Sequence, residues 1–203
     1  MIRAITVGPF QENCYLIVRD GECAIVDPGD EADRIAAEIE ATGAVPRLIL
    51  LTHAHLDHVG AVDALKARWN LPLYAPREEL ALLAELPLQC AMFGLPPIPP
   101  PHVDHIVEPG TDLPLGRGTI EVISTPGHSP GGTSYRIGDD LFVGDTIFAG
   151  GVGRTDLWGG SWATLKASIE DRIFTLPDAV TLYPGHGPTT TVGAERRTNP
   201  FFN

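Results

Sequence analysis

The sequence predicts an α/β fold in which two β-sheets pack face to face beneath covering helices. Strand-like runs fall in two blocks, one before and one after a proline-rich middle, and each block leads into stretches with helical apolar spacing. The run Leu48-Ile49-Leu50-Leu51 is apolar without interruption. A strand covered on both faces has that pattern, whereas one facing water alternates.

Taken in order, Ile2–Val7, Cys14–Val18 and Cys23–Val26 read as strands, the last two joined by the hairpin signal Arg19-Asp20-Gly21. Asp30 is expected to cap a helix running to Thr42, with Ala32, Ile35, Ala36 and Ile39 on one face and Gly43 as its stop. Beyond the buried strand, a second helix is expected over Val59–Trp69, with Val59, Val62, Leu65 and Trp69 inward, followed by a short strand at Leu73-Tyr74. Pro76–Glu85 has a helical composition, and Gly94–Pro101 (GLPPIPPP) reads as a stiff extended loop. The second block offers strands at Val103–Val107, Ile120–Ser124, Thr133–Ile137 and Asp140–Val143. A helix then starts from an N-cap at Ser161 with Trp162, Leu165, Ile169 and Ile173 inward, and a last strand, Val180–Tyr183, precedes a polar C-terminal segment.

Composition narrows the classes. The 203 residues suffice for one sizeable core, and a single domain over 1–203 is expected. No apolar run approaches the roughly 20 residues that a membrane helix needs. A formal net charge of −12 argues against nucleic-acid partners, whose phosphates require clustered Lys and Arg. The N-terminus lacks a basic region and a small-residue cleavage site, so no signal peptide is expected. Cys14, Cys23 and Cys90 form no metal spacing; free thiols in a reducing cytoplasm are the expectation.

The chemistry concentrates in histidines. Three of seven lie in one hexapeptide, His53-Ala54-His55-Leu56-Asp57-His58, directly after the buried strand. A strand end holds side chains rigidly at a sheet rim, and an i, i+2 pair on extended backbone aims both imidazoles to one side. One histidine there would be ordinary polar surface; three with an aspartate imply a metal site. His128 in Pro126–Gly132 and His186 in Tyr183–Pro188 occupy similar strand-end turns, and Asp145 ends another strand. Taken singly, each of these three is as readily a turn residue as a ligand. Together the seven supply imidazole and carboxylate donors, which suit zinc first, with iron or manganese also compatible. His102 and His105 follow the proline run without strand-end geometry and are expected to be exposed.

The segments THAHLDH, PGHSPGG, GDT and PGHG, in this order from Thr52 to Gly187, resemble the metallo-β-lactamase superfamily signature. The resemblance implies a four-layer αβ/βα sandwich with two metal ions at one edge of two mixed sheets. An aspartate at position 145 and a histidine at 58 are similar to the glyoxalase II branch. So are Gln11-Glu12-Asn13-Cys14-Tyr15, Gly153-Arg154-Thr155-Asp156 and Asn199-Pro200-Phe201. That branch implies one metal on His53, His55 and His128, a second on Asp57, His58 and His186, and Asp145 bridging. It also implies a small-molecule thioester substrate, such as S-2-hydroxyacylglutathione, attacked by a metal-bridging hydroxide that Asp57 orients. Arg154 is either an anion-binding residue for a glutathione carboxylate or half of a structural pair with Asp156. Full-length glyoxalase II adds a C-terminal helical segment that contacts glutathione, and the match here ends at Asn203 without it. Persulfide dioxygenases share these motifs and form the rival expectation, with one Fe(II) on His53 or His55, His128 and Asp145.

Overall fold

Side-chain alternation along the strands builds the layers seen in a computed structural model, which describes all 203 residues. In β1 (Ile2–Val7), β2 (Glu12–Arg19), β3 (Glu22–Val26) and β4 (Val45–Leu50), successive residues face opposite ways. Cys14, Leu16, Cys23, Ile25 and Ile49 join one apolar cluster, while Tyr15, Ile17, Ala24, Val26, Leu48 and Leu50 join another. With β5 (Leu73–Pro76) and β6 (His105–Val107), these strands form a six-stranded sheet in sequence order. Its first two pairings are antiparallel and the remaining three parallel. The Asp20-Gly21 turn between β2 and β3 has positive φ at both positions, as a two-residue hairpin requires. Helices α1 (Ala32–Thr42), α2 (Val62–Trp69), α3 (Leu80–Ala84) and α4 (Leu86–Met92) cover the outer face through Ile35, Ile39, Val62, Leu65, Leu82 and Leu86.

The second sheet is built from β7 (Asp112–Leu115), β8 (Gly118–Ser124), β9 (Thr133–Ile137) and β10 (Asp140–Gly144). The small separate hairpin β11 (Ile147–Phe148) and β12 (Gly151–Val152) follows, and β13 (Thr181–Pro184) and β14 (Thr190–Thr191) complete the sheet in the order β14-β13-β10-β9-β8-β7. Only β10 and β13 pair in parallel. Leu113, Ile120, Val122, Tyr135 and Phe142 face the first sheet, whereas Leu141, Val143 and Leu182 pack outward on α5 (Trp162–Ser168) and α6 (Val192–Thr198). Two mixed sheets between helical layers confirm the expected four-layer α/β sandwich. No helix is long and apolar enough to cross a membrane.

Several boundaries differ from expectation. Asp30 is not the cap of α1: Glu31 holds that place in the left-handed region without a side-chain cap, and Asp30 Oδ1 accepts the Glu31 N–H instead. The second helix starts at Val62 rather than Val59, because Leu56–His58 forms a separate 3-10 turn and the Ala61 N–H is taken by the Pro28 carbonyl. Trp162 is not inward; it is 39% exposed and packs on the rings of Phe201 and Phe202. The polar C-terminal segment contains α6, and α4 and β7 are further elements the apolar pattern did not announce. All three cysteines are free and buried.

The inter-sheet layer is closed by a sheet on each side, so a void left there cannot be refilled by solvent and truncation should be costly. Phe142→Ala is expected to lower unfolding free energy by about 3–5 kcal/mol, and Phe201→Ala, exposed at the surface, by less than about 1 kcal/mol. Equal urea midpoints for the two variants would contradict the layer assignment.

Candidate metal centre

Four strand ends converge here. β4 delivers Thr52, His53 and His55, and the following 3-10 turn presents Asp57 and His58. The turn after β8 carries His128, β10 ends one residue before Asp145, and the loop after β13 carries His186. One donor atom from each of His53, His55 and His128 lies within 4.8 Å of the others, and the same is true of Asp57, His58 and His186. Asp145 stands between the groups. Its Oδ2 is 3.6 Å from Nε2 of both His128 and His186, and its Oδ1 is 3.6 Å from His58 Nε2. All seven residues named from the sequence are therefore brought together, whereas His102 and His105 are exposed and outside the cluster.

Hydrogen bonds fix the imidazole tautomers. Thr52 Oγ1 donates to Asp27 Oδ2 at 2.5 Å, so toward His53 Nδ1, 3.0 Å away, it can only accept. His53 thus carries its proton on Nδ1 and a lone pair on Nε2. His58 Nδ1 donates to the same Asp27 Oδ2 at 3.0 Å, and His128 Nδ1 donates to the Arg154 carbonyl at 2.7 Å. All three rings consequently turn Nε2 toward the cluster, and that of His128 lies 2.9 Å from His55 Nδ1. Nε2 of His53, Nε2 of His58 and Oδ1 of Asp145 are buried without any hydrogen-bond partner. Orphaned acceptors of this kind are costly unless something electropositive satisfies them. The donor set fits divalent cations.

Charge distribution agrees. Burial, with His58 beside it, holds His53 well below its ordinary range, and burial with His128 and His58 lowers His55 to about 3. His128 is lowered chiefly by burial, so these three rings remain neutral donors at neutral pH. Burial opposes protonation of His58 too, yet Asp57, Asp27 and Asp145 around it push it up. Asp57 is held low by His58 and His186 against the burial that would raise it. Glu12, 1% exposed with neither oxygen partnered, lies 3.7 Å from His58 Nδ1, and burial pushes its carboxyl well up.

Two supporting residues, Asp27 and Glu79, were missed in the sequence, and a third, Asn13, stood there only within a motif. Asp27 also accepts the Thr52 N–H at 2.7 Å, so its hydrogen-bonding capacity orients ligands instead of offering another one. Its setting at the end of β3, before Pro28-Gly29, has the same strand-end form as Asp145 and could have marked it. Glu79, fully buried, accepts the Ala54 N–H at 2.8 Å and the Gly131 N–H at 2.6 Å, tying together the loops that carry His55 and His128. Asn13 donates to the carbonyls of Pro184 and Gly187, bracing the turn of His186. Close approach also demands glycine: a Cβ at Gly185 would meet Asp145 Oδ1 at 2.2 Å, and one at Gly144, where φ is +50°, would meet Thr52 Oγ1 at 2.2 Å.

A cleft of ≈ 360 Å³ opens over these residues, floored by His55, Asp57, His128, Asp145 and His186 and walled by apolar side chains including Phe10, Phe93 and Trp158. Arg154 is its only Lys or Arg, and its guanidinium makes two 2.8 Å bonds to Asp156. The structural pair expected as one of its two readings is formed, at the rim of the cleft.

A family model described as the metallo-beta-lactamase superfamily matches residues 7–189, the span that holds every donor above. The chain belongs to the metallo-β-lactamase superfamily. Within that superfamily it is 40% identical to the hydroxyacylglutathione hydrolase GloC of Haemophilus influenzae, over 100% of this chain and 98% of that one. It is 42% identical to the probable metallo-hydrolase YqgX of Bacillus subtilis, over 99% and 97%. Both are consistent with the compact glyoxalase-II-like branch. Among solved structures, BLEG-1 B3 metallo-beta-lactamase superposes with TM-score 0.94 at 39% identity, covering 100% of both chains. TTHA1623 in a di-iron-bound form gives 0.89 at 42%, over 98% and 99%, and ETHE1 from Myxococcus xanthus gives 0.84 at 26%, over 98% and 83%. The metallo-β-lactamase fold binds divalent metals, and the clustered histidines here are the candidate site.

Asp27 sets two tautomers at once, which gives a direct test. Asp27→Asn would place an amide N–H donor where acceptors are required, and should weaken Co²⁺ or Zn²⁺ binding by about 10–100-fold. His105→Ala should leave it unchanged. Calorimetric titration of metal-free protein measures both, and undiminished affinity in Asp27→Asn would refute the tautomer argument.

Proposed function

We propose that this chain is a metal-dependent thioester hydrolase acting on small substrates such as S-2-hydroxyacylglutathione, with residues 1–203 forming one domain, in the reducing cytoplasm. The observation that carries the reading is the pair of donor groups on either side of Asp145, with Nε2 of His53, His58 and His128 turned toward them. His53, His55 and His128 would hold one divalent cation, Asp57, His58 and His186 a second, and Asp145 both, with zinc, iron or manganese compatible with these donors. When bound, such ions would lower the pKa of water toward roughly 7 and would polarise a carbonyl. Identity to GloC over the full chain supports the thioester substrate, and the di-iron relative supports two ions.

The remaining steps belong to protein groups. Asp57 lines the cleft, and its carboxylate would orient the attacking water. Apolar walls shed bulk water from the reacting carbonyl, which strengthens every charge interaction beneath. A thiolate departs without a strong general acid, so no additional histidine is required. The Arg154 guanidinium is already paired with Asp156, so a substrate carboxylate competes with that pair and the grip on glutathione is accordingly weak.

A second reading, a mononuclear iron persulfide dioxygenase, draws on the likeness to ETHE1. It leaves His58 and His186 without a role, although their geometry matches that of the first group.

Metal-loaded protein should hydrolyse lactoylglutathione with weak saturation. Asp145→Ala should abolish turnover, and Arg154→Ala should raise KM more than it lowers kcat. The proposal is overturned if every thioester survives while oxygen is consumed with glutathione persulfide.

A further inference from the structure

A second cleft, of ≈ 240 Å³, lies on the other side of Phe10 from the one described above. The two share Phe10, Leu56 and Asp57, so they adjoin at a residue of the candidate metal centre. Phe10 forms the partition and is held edge-on against Phe93 at 5.2 Å. The outer wall comes from the proline-rich segment, through Leu95, Pro96 and Ile98, and the inner wall from Val7 to Pro9. This gives the GLPPIPPP loop a place in the site: its run of prolines and the apolar Leu95 and Ile98 make a rigid lining that does not collapse into the gap.

Charge separates the two clefts. The larger one carries Arg154 at its rim, whereas no Lys or Arg lines the smaller one, whose only ionisable lining groups are Asp30 and Asp57. Buried Glu12 lies just behind it, 2.7 Å from where a Cβ on Gly29 would sit. An anionic group entering this cleft would lose hydration and meet carboxylates, while an alkyl group would only exchange water for Leu95, Ile98 and Phe10.

A thioester has two arms on its carbonyl carbon. Resting on the thioesterase reading above, we propose that the smaller cleft is the acyl subsite and selects uncharged alkyl chains, while the thiol arm lies in the larger cleft beside Arg154. Ile98 and Leu95 are then specificity-determining residues that touch the chain without touching the reacting atoms.

The test is a series of acetyl-, butyryl-, hexanoyl- and succinylglutathione thioesters on the metal-loaded protein. kcat/KM should rise about fourfold for each methylene that enters the cleft, giving a butyryl-to-acetyl ratio of about fifteen for the two added methylenes, and succinyl should fall at least tenfold below butyryl. Ile98→Trp, which fills the cleft, should bring the butyryl-to-acetyl ratio close to one. A flat series, succinyl equal to butyryl, or a ratio untouched by Ile98→Trp overturns the proposal. A readout independent of turnover is the Ile98 δ1 methyl signal on titration with S-hexyl-N-acetylcysteamine, a thioether that cannot be hydrolysed. A saturable shift there supports the subsite even if every thioester survives, in which case only the hydrolase reading falls; no shift at Ile98 or Leu95 overturns the subsite itself.

Discussion

The Asp27 carboxylate receives three hydrogen bonds, from the Thr52 amide, the Thr52 hydroxyl and the His58 ring, and the candidate centre is organised around that acceptance. It is 2% exposed at the end of β3, beside the strand that delivers Thr52 and His53. A carboxylate with no solvent to turn to must be satisfied by whatever the neighbouring strand presents. One buried anion therefore fixes the register at which β4 ends, the rotation of two imidazoles and the nitrogen each leaves bare. Arg154, in the loop after β12, completes the pattern through its main-chain carbonyl, a role that any residue with a carbonyl there could fill. Its side chain is thereby free for the ion pair with Asp156.

Carboxylates dominate the surroundings. Glu12, Asp27, Asp57 and Asp145 gather around His58, and Glu79 is buried behind His55 and His128. Concentrating so much negative charge in a low-dielectric edge is costly unless cations or donors balance it. Backbone amides do so for Glu79, and hydroxyl, ring and amide donors for Asp27. The unpartnered atoms are confined to the residues facing the cluster and those next to them, so the uncompensated field points at one place.

The donors that the sequence displays are those whose chemistry is rare: three histidines in six residues after an apolar strand suit a metal and little else. The layers were also legible, since Leu48–Leu51 must be covered on both faces and the strand blocks must stack. The helices α4 and α6 were not. Leu86–Met92 carries a proline in its first turn and Val192–Thr198 has a single large apolar residue, so packing alone makes them helical. Asp27 and Glu79 escaped for a different reason. Aspartate before Pro-Gly is an ordinary turn composition, and a glutamate ahead of a short helix is ordinary surface; only their burial separates them from such neighbours.

The strand order of both sheets follows the chain, β1 to β6 in one and, apart from the separate β11–β12 hairpin, β7 to β14 in the other. Each sheet closes through near-neighbour pairings, which keeps loop-closure costs small and favours rapid assembly of either half. The inner face of the first sheet, with Tyr15, Ile17, Leu48 and Leu50, has no cover until the second sheet arrives. During synthesis that sticky surface waits for about ninety further residues, a span of several seconds at the usual pace of translation. His128, Asp145 and His186 come from the second half of the chain, so they meet the other four donors only where the two sheets dock. Completion of the donor set is thus tied to burial of that one apolar face.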